Sequence, residues 1–427
     1  MKNFIWAFAF FCSLNLFSQT TVDHFFSAKL NTKRDITVKL PTSYSTNPER
    51  SYPMILVLDG EFLFPSFEST LRYGNYWDDL PEVILVGINQ NKNNERYDDS
   101  QFDPAEGLPT KKGADFFEFI GTELLPHLEK KYRLAPFRII AGMDVTAGFL
   151  NAFLYKENPL FDGYISISPE LANGMEGIVA QRLSETKKPI FYYQATSDGD
   201  LKKFQKNIKT LDKNIQTIKN DFLNYKFDYF KRLAHYGIAP NAIPSALYQF
   251  FEIYQPITAM EYQDNISPLK EGYVDYLNKK YDAIEKSLGL KTKIRFSDMK
   301  AIETAIKKNE AWYEYELLAQ ISGQQYEKTM LYEYHMGMYW EKRGEIKKAL
   351  KFYQDSFNKT EIGDITKDFM MNKAEELKTK LPKKNKMKGG KAKDQKTEEN
   401  ILETPSETST EPLKEESKKR INTQWPK

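Results

Sequence analysis

The chain has 427 residues, a formal net charge of +2 and an aromatic content of 14%. A net charge so close to zero gives no support for binding to nucleic acid or to a strongly acidic substrate. The 26 Tyr and 29 Phe favour a folded chain over a disordered one, and the length allows two domains. We therefore expect a folded protein that does not bind nucleic acid.

The first 18 residues have the features of a secretory signal peptide. Lys2 supplies the positive charge, residues 4–17 are apolar but too few to span a bilayer, and Ser18 precedes a cut at Gln19. The alternative is an N-terminal anchor helix that stays attached. We predict an exported protein, periplasmic or at the cell surface of a Gram-negative-type bacterium, with no membrane span once the signal is removed.

Removal of this segment also removes Cys12, the only cysteine of the chain. The mature protein then has no disulfide, no thiolate metal ligand and no cysteine nucleophile. The four histidines are widely spaced, and no two of them have the short spacing of a zinc site (His24, His127, His235 and His335). The sequence therefore predicts neither a metal nor a cofactor.

Residues 19–258 alternate short apolar segments with segments of helical periodicity. We predict strands at residues 36–40, 54–58, 83–88, 137–141, 161–167 and 190–194, and helices at residues 114–131 and 146–155. Such an alternation is typical of a mostly parallel sheet with helices on both faces. The charged stretch at 205–232 is interpreted as a helical insertion or cap.

The strand pattern disappears beyond residue 258. Residues 259–381 are predicted to be all-helical, with helices at 269–288, 296–307, 310–321, 326–343 and 345–357. Within them, residues 334–353 resemble one tetratricopeptide repeat, in which Gly337 and Ala349 let two helices approach closely. The region could bind an envelope protein partner through residues 260–381, or it could buttress the α/β domain.

The remaining residues, 382–427, have a different composition. Lys, Glu, Thr, Ser and Pro dominate there and aromatic residues are almost absent. Such a segment buries too little apolar surface to offset the entropy lost on ordering. We predict a disordered charged tail.

Residues 137–149 carry the most informative pattern. An apolar strand runs into Gly142, a tight turn follows, and a helix begins. This is the context of a nucleophile elbow, G-x-S-x-G, but Asp144 stands in the position of the serine. The residues two positions to either side should be small, and Thr146 is expected to crowd the turn.

Residues 30–255 resemble the esterase family of α/β hydrolases, the enterochelin-esterase-like and S-formylglutathione-hydrolase-like proteins. The segments that carry the resemblance are 54–60, 86–89 with Arg96, 119–132, 161–169 and 235–244. The resemblance implies an α/β-hydrolase fold with His235 as the former base. It also implies Asp198 or Asp200 as the former acid, and Gly60 and Val145 on the oxyanion side.

The elbow departs from the family pattern G-H-S-x-G-G. The aligned residues are Gly142, Met143, Asp144, Val145, Thr146 and Ala147. A serine attacks a carbonyl because a histidine takes its proton, and Asp144 has no such proton at neutral pH. We therefore predict a pseudo-esterase that acts as a binding or scaffold module in the cell envelope.

The alternative is an active hydrolase of ester-like or alkyl substrates. Haloalkane dehalogenases and epoxide hydrolases use an elbow aspartate that attacks carbon, and Asp144 with His235 could do the same. A relocated nucleophile is also possible. Ser166 and Ser168 lie at a strand end outside any elbow and are discounted for this role.

Overall fold

A computed structural model describes residues 20–103 and 106–381 of the protein. The predicted signal peptide, 1–18, and the predicted disordered tail, 382–427, lie outside the described residues. Export and the nature of the tail therefore stay predictions. Within the described ranges, no helix combines the length and the apolar character needed to cross a membrane.

Eight strands form a single sheet with the order β1-β2-β4-β3-β5-β6-β7-β8. Their bounds are β1 Thr20–Ser27, β2 Thr32–Lys39, β3 Tyr52–Val57, β4 Ile84–Ile88, β5 Leu134–Met143, β6 Gly163–Ile167, β7 Ile190–Gly199 and β8 Leu223–Ala234. The β1–β2 and β2–β4 pairs are antiparallel, and all other neighbours are parallel. The predicted α/β-hydrolase fold, with its mostly parallel sheet, is confirmed.

Helices cover both faces of this sheet. In the α/β part they are α1 Gly60–Tyr76, α2 Glu95–Asp98, α3 Lys112–Glu118, α4 Leu125–Lys131, α5 Val145–Phe149, α6 Met175–Glu185, α7 Lys202–Gln216 and α8 Ile238–Phe250. The apolar sides of α1 and α8 pack on one face, and those of α3 to α7 pack mainly on the other. Strands buried on both faces explain the continuous apolar runs seen in β3, β4 and β6.

The interpretation of residues 205–232 as a helical insertion is wrong for its second half. Helix α7 ends at Gln216, and Leu223–Ala234 forms β8, which pairs in parallel with β7 at the edge of the sheet. Most of β8 is only half-buried or exposed. An edge strand of this kind carries charged side chains and therefore lacks the apolar run by which the inner strands were predicted.

The region after residue 258 is helical, as predicted. Its helices are α9 Ala259–Glu261, α10 Tyr273–Leu288, α11 Phe296–Lys308, α12 Glu314–Gln325, α13 Leu331–Lys342, α14 Ile346–Asp355 and α15 Lys367–Lys380. They do not form a separate core. One continuous apolar cluster runs from sheet residues such as Ile139 and Ile165 through α8 to Leu377 in α15.

Helices α13 and α14 pack closely at the small residues named above. A Cβ atom on Gly337 would lie 2.2 Å from Cε1 of Tyr353, so only glycine permits this approach. Ala349 is fully buried. The tetratricopeptide assignment and the docking role of residues 260–381 stay predictions, whereas the shared core supports a buttressing role.

Candidate functional site

Asp144 adopts the backbone conformation of a nucleophile elbow. It lies between β5 and α5 with φ 56° and ψ −119°, a combination that is costly for a residue with a side chain. Backbone contacts on both sides hold the turn, since Asp144 N–H donates to Ile167 O at 3.1 Å and Asp144 O accepts from Gly148 N–H at 3.0 Å. The backbone at position 144 therefore has the geometry of a nucleophile elbow, although the residue is aspartate and not serine.

The tightness of this turn explains Gly142. A Cβ atom there would lie 2.8 Å from Oγ1 of Thr146. Thr146 was expected to crowd the turn, yet its side chain fits because its hydroxyl has partners on both sides. It accepts from Met143 N–H at 3.0 Å and donates to Oδ2 of Asp59 at 2.5 Å.

His235 connects the elbow to a second carboxylate. Its Nε2 lies 2.9 Å from Oδ1 of Asp144, and its Nδ1 lies 2.6 Å from Oδ1 of Asp200. The 2.9 Å contact lacks hydrogen-bond alignment, which leaves Asp144 Oδ1 buried without a hydrogen-bond donor. The structure thus brings together an elbow residue, a histidine and an acid in the order of a catalytic triad.

Asp200, and not Asp198, contacts the histidine. Asp198 is exposed, and its Oδ1 accepts from Arg232 N–H at 2.7 Å. Of the two candidate acids, Asp198 is therefore wrong and Asp200 takes the position beside the histidine. The reason is the irregular pairing of β7 with β8 between Ser197 and Gly199, which turns the two aspartates in different directions.

Several donors hold the Asp200 carboxylate in place. Ser168 Oγ donates to it at 2.8 Å, Leu201 N–H donates at 2.8 Å, and Thr196 Oγ1 contributes a further hydrogen bond. Ser168 also lies 3.4 Å from His235 Nδ1. Its role is to orient the acid, and no elbow places its hydroxyl as a nucleophile.

Arg96 supplies a second cation beside the elbow. Its Nη2 lies 3.4 Å from Oδ2 of Asp144 and donates to Met143 O at 2.9 Å, while its Nε donates to Oδ1 of Asp59 at 2.6 Å. Asp144 is therefore placed between two cationic side chains, Arg96 and, when protonated, His235. Sequence reasoning missed this role, because the contact joins loops that are 48 positions apart.

Asp59 is a fully buried carboxylate. Burial raises its pKa, although the hydrogen bonds from Arg96 and Thr146 act in the opposite direction. Burial acts to lower the pKa of Arg96, but the contacts with Asp59 and Asp144 together outweigh it and the net shift is upward. Arg96 therefore stays charged, and it compensates both Asp59 and Asp144.

A buried polar network positions the loop that carries Arg96. Gln90 accepts from Asp59 N–H at 3.1 Å, and its amide donates to Oδ2 of Asp99 at 2.9 Å. Arg34 donates to the other oxygen of Asp99 at 2.7 Å. Contacts at Gln90 and at Asp99 thus fix the segment on both sides of Arg96. The Arg96 side chain therefore has little freedom to move away from Asp144.

The predicted oxyanion-side residues begin two helices. Gly60 is the first residue of α1 and Val145 is the first residue of α5. The N–H of a first helical residue has no acceptor within its own helix, so each remains available to an oxygen atom. Asp59 directly precedes Gly60. Arg96 forms an ion pair with the Asp59 carboxylate, and the Thr146 hydroxyl donates a hydrogen bond to it.

Exposed aromatic rings surround this centre. Phe62, Tyr97 and Tyr236 are 44%, 57% and 82% exposed. The Arg96 guanidinium lies 5.5 Å and 5.8 Å from the ring centres of Phe62 and Tyr97, and the Tyr236 ring packs edge-on against His235 at 4.9 Å. We call these three residues the aromatic rim. Exposed apolar surface around a polar centre is typical of a ligand-binding site.

Comparison with known proteins shows which family the α/β part is similar to. Residues 27–169 match the family model described as "Putative esterase". The predicted resemblance to esterases is confirmed. This matched segment contains the oxyanion-side residues, Arg96 and the whole elbow. No functionally curated protein matches the chain significantly.

Two solved structures are similar over most of the chain. An uncharacterised protein from Capnocytophaga ochracea is 28% identical, with a TM-score of 0.76, and the match covers 84% of this chain and 100% of that one. An IroE-like serine hydrolase from Shewanella oneidensis is 18% identical, with a TM-score of 0.54, over 75% of this chain and 99% of that one. The second likeness shows the fold alone. The first extends beyond residue 258 and so includes part of the helical region.

The described residues offer no metal site. Across residues 20–103 and 106–381, no three His, Cys, Asp or Glu side chains are grouped to hold an ion. The acidic groups of the elbow region are instead matched by Arg96 and His235. The chemistry available here is that of a carboxylate, an imidazole and a guanidinium.

Proposed function

We propose that the protein is a pseudo-esterase, an α/β-hydrolase-fold protein that binds a ligand at the esterase-like site without hydrolysing it through a serine. One observation carries the proposal. The residue in the elbow is Asp144, and its carboxylate lies between Arg96 and His235. The family match and the likeness to a serine hydrolase support the ancestry of the site, and the aromatic rim supports binding.

The chemistry of the elbow argues against ester hydrolysis. Ester hydrolysis by this fold needs a nucleophile that gives its proton to the histidine. Asp144 has no proton to give when ionised, and its negative charge lies directly beside Val145, which the resemblance assigns to the oxyanion side. An oxyanion hole works by presenting donors to the charge of the oxyanion, so a carboxylate beside it opposes the reaction.

The proposal also includes export to the envelope, in accordance with the N-terminal sequence. It requires that the protein recovered from its native envelope fraction begins at Gln19, which the mass of its N-terminal peptide would show. A chain that still begins at Met1 would contradict export by a cleaved signal. The partner-binding role of residues 260–381 belongs to the same proposal and rests on the sequence pattern alone.

A second candidate function is favoured by the elbow conformation of Asp144 and by the His235–Asp200 contact. In this reaction an Asp144 oxygen attacks an alkyl carbon, a halide or an epoxide oxygen leaves, and an ester forms. Water then attacks the ester carbonyl and gives its proton to His235; the acyl C–O bond breaks, the alcohol leaves with that proton, and the Asp144 carboxylate is regenerated. The ion pair of Oδ2 with Arg96 lowers the nucleophilicity of the Asp144 carboxylate, so we rank this candidate second.

One experiment separates the two candidates. The purified protein and its His235→Ala variant are expected to hydrolyse p-nitrophenyl acetate and butyrate at the same rate as buffer alone. Incubation with a panel of alkyl halides and epoxides should leave the intact mass unchanged. His235-dependent ester turnover would contradict the pseudo-esterase, and an alkyl adduct located on Asp144 would establish the second candidate. Circular dichroism of both proteins provides the control for folding.

A further inference from the structure

Strand β1 forms one edge of the sheet and pairs, among the described residues, with β2 alone. On the other side of β2, Asp35 O accepts from Asn89 N–H at 3.0 Å, so the backbone groups of Asp35 point towards β4. His24 is the β1 partner of Asp35, and the backbone groups of such an antiparallel pair point away from each other. The N–H and C=O groups of Val22, His24 and Phe26 therefore point to the outer side of the edge.

The side chains of these residues form an exposed, partly apolar surface along the edge. Val22 and Phe26 are 52% and 58% exposed, and they lie on the same face of β1 as the exposed His24. Their partners on β2 are Thr37 and Lys33, so no apolar side chain of β2 covers them. An exposed edge strand with apolar side chains is a template for pairing with another strand.

The opposite face of β1 is fixed to the body of the protein. The ring centre of Phe25 lies 5.8 Å from that of Phe119, and Ser27 Oγ donates to Glu123 Oε2 at 2.5 Å. The strand is therefore ordered before it meets a partner. Pairing along an ordered edge loses less conformational entropy than pairing that must first order a flexible segment.

The other edge strand, β8, has features that oppose such pairing. Lys226, Lys231 and Arg232 place positive charge along it, and its pairing with β7 is irregular near its end. Charged side chains and irregularities of this kind keep an edge from pairing with another strand. Strand β1 pairs with β2 in regular register, and Asp23 is its only carboxylate. The contrast makes β1 the edge that is suited to association.

We propose that β1 pairs in antiparallel orientation with β1 of a second copy, so that the protein is a homodimer with one continuous sheet. A two-fold axis perpendicular to the sheet relates two such strands, and opposite residues then lie on the same face. An axis at His24 sets Val22 opposite the partner's Phe26 and Phe26 opposite the partner's Val22. In this register the outward backbone groups of one copy also meet those of the other.

The edge is complementary to itself in this register. A β-branched side chain opposite an aromatic one is a favourable cross-strand pair, and the two-fold axis forms that pair twice. An axis at Asp23 would instead place two carboxylates opposite each other, which is unfavourable. Because the two-fold axis reverses the strand direction, the two elbow sites open at opposite ends of the joined sheet.

Sedimentation velocity of the protein, expressed from its full sequence, tests this association over a range of concentrations. The edge variant is Val22→Lys/Phe26→Lys, which places charges on the proposed interface at exposed positions. The matched control is Phe222→Lys/Tyr229→Lys, which changes two exposed aromatic side chains at the other edge of the sheet. Circular dichroism of each variant provides the control for folding.

A single introduced cysteine tests the register. In a Cys12→Ser background, His24→Cys places two thiols opposite each other across the two-fold axis. The Cα atoms of such a hydrogen-bonded pair are about 5.5 Å apart, within the range of a disulfide. Val22→Cys is the control, because the two copies of position 22 are four residues, or about 13 Å, apart along the strands.

We expect a monomer–dimer equilibrium at micromolar concentrations, because a single strand pair is a small interface. The edge variant should weaken dimerisation by about tenfold or more, and the control should change it less than about twofold. Oxidation should link His24→Cys into a dimer and leave Val22→Cys monomeric. A wild-type protein that stays monomeric up to about 200 µM, equal weakening in both lysine variants, or a dimer that His24→Cys does not link would overturn the proposal.

Discussion

Replacement of Asp144 by serine is expected to give the protein a His235-dependent esterase activity. The reason is that the elbow backbone, the histidine and the acid already lie in the order of a catalytic triad. The elbow conformation at φ 56° and the contact of His235 with Asp200 at 2.6 Å do not depend on the identity of the side chain at position 144. The N–H groups of Gly60 and Val145 stay at the starts of their helices.

The Asp144→Ser substitution has two effects that favour ester hydrolysis. It introduces a hydroxyl whose proton His235 can take, and it removes the negative charge that opposes an oxyanion. Even an imperfectly aligned triad should raise the hydrolysis of p-nitrophenyl butyrate by about 10²-fold over the wild-type protein, the lower end of what a positioned general base contributes. A pre-steady-state burst of p-nitrophenol would report acylation of the introduced serine.

The matched control for this gain is Asp144→Ala, which removes the same carboxylate but supplies no nucleophile. It should stay at the buffer rate, as should Asp144→Ser combined with His235→Ala. Equal activity in the serine and alanine variants would show that charge removal and not a nucleophile is responsible. A correctly folded serine variant without any burst would contradict the view that the rest of the site is competent.

The largest effect on stability is expected from Arg96→Ala. Arg96 is the only cationic side chain in contact with the fully buried Asp59 among the described residues, with Nε at 2.6 Å. Removal of one partner of a buried pair leaves an uncompensated charge and costs about 3–5 kcal/mol. Urea unfolding at pH 7.5 should show this loss, whereas Arg72→Ala, on the exposed side of α1, should change stability by less than about 0.5 kcal/mol.

The loss in Arg96→Ala should also depend on pH. Burial raises the pKa of folded Asp59 above its unfolded value, so the folded state holds this proton to higher pH and its contribution to stability decreases as pH rises. Without Arg96 the pKa rises further, and the deficit should be smaller at pH 5 than at pH 7.5. Asp59→Asn combined with Arg96→Ala should lose less stability than Arg96→Ala alone and lack this pH dependence. A pH-independent deficit in the single variant would exclude Asp59 as its cause.

The sequence predicted the strands in which every residue is buried. Strands β3, β4 and β6 are covered on both faces, so their apolar runs were recognisable. Helix α1 was not predicted, although Leu63, Phe67 and Leu71 lie at helical spacing and are buried. Pro65 interrupts that pattern near its start, and the segment received no prediction.

The sequence predicted those site residues that belong to a recognisable local segment. Asp144 was found from its strand–turn–helix context and His235 from the family resemblance, and the structure brings both together. The sequence left the acid open between Asp198 and Asp200, because Asp198 lies at the end of β7 and Asp200 directly follows that strand, and only the irregular pairing with β8 separates them. Arg96 belongs to a loop whose position depends on contacts with Gln90 and Asp99, which no local pattern reveals.

The hydrogen bond from Thr146 to Asp59 has a consequence for how the chain can evolve. A glycine at position 146, as in the family pattern, would remove the donor from Oδ2 of a carboxylate that is buried completely. That loss costs about 1–3 kcal/mol unless position 59 changes first. Introduction of the elbow pattern G-x-S-x-G by single substitutions therefore has a preferred order, in which position 59 changes before Thr146 becomes glycine.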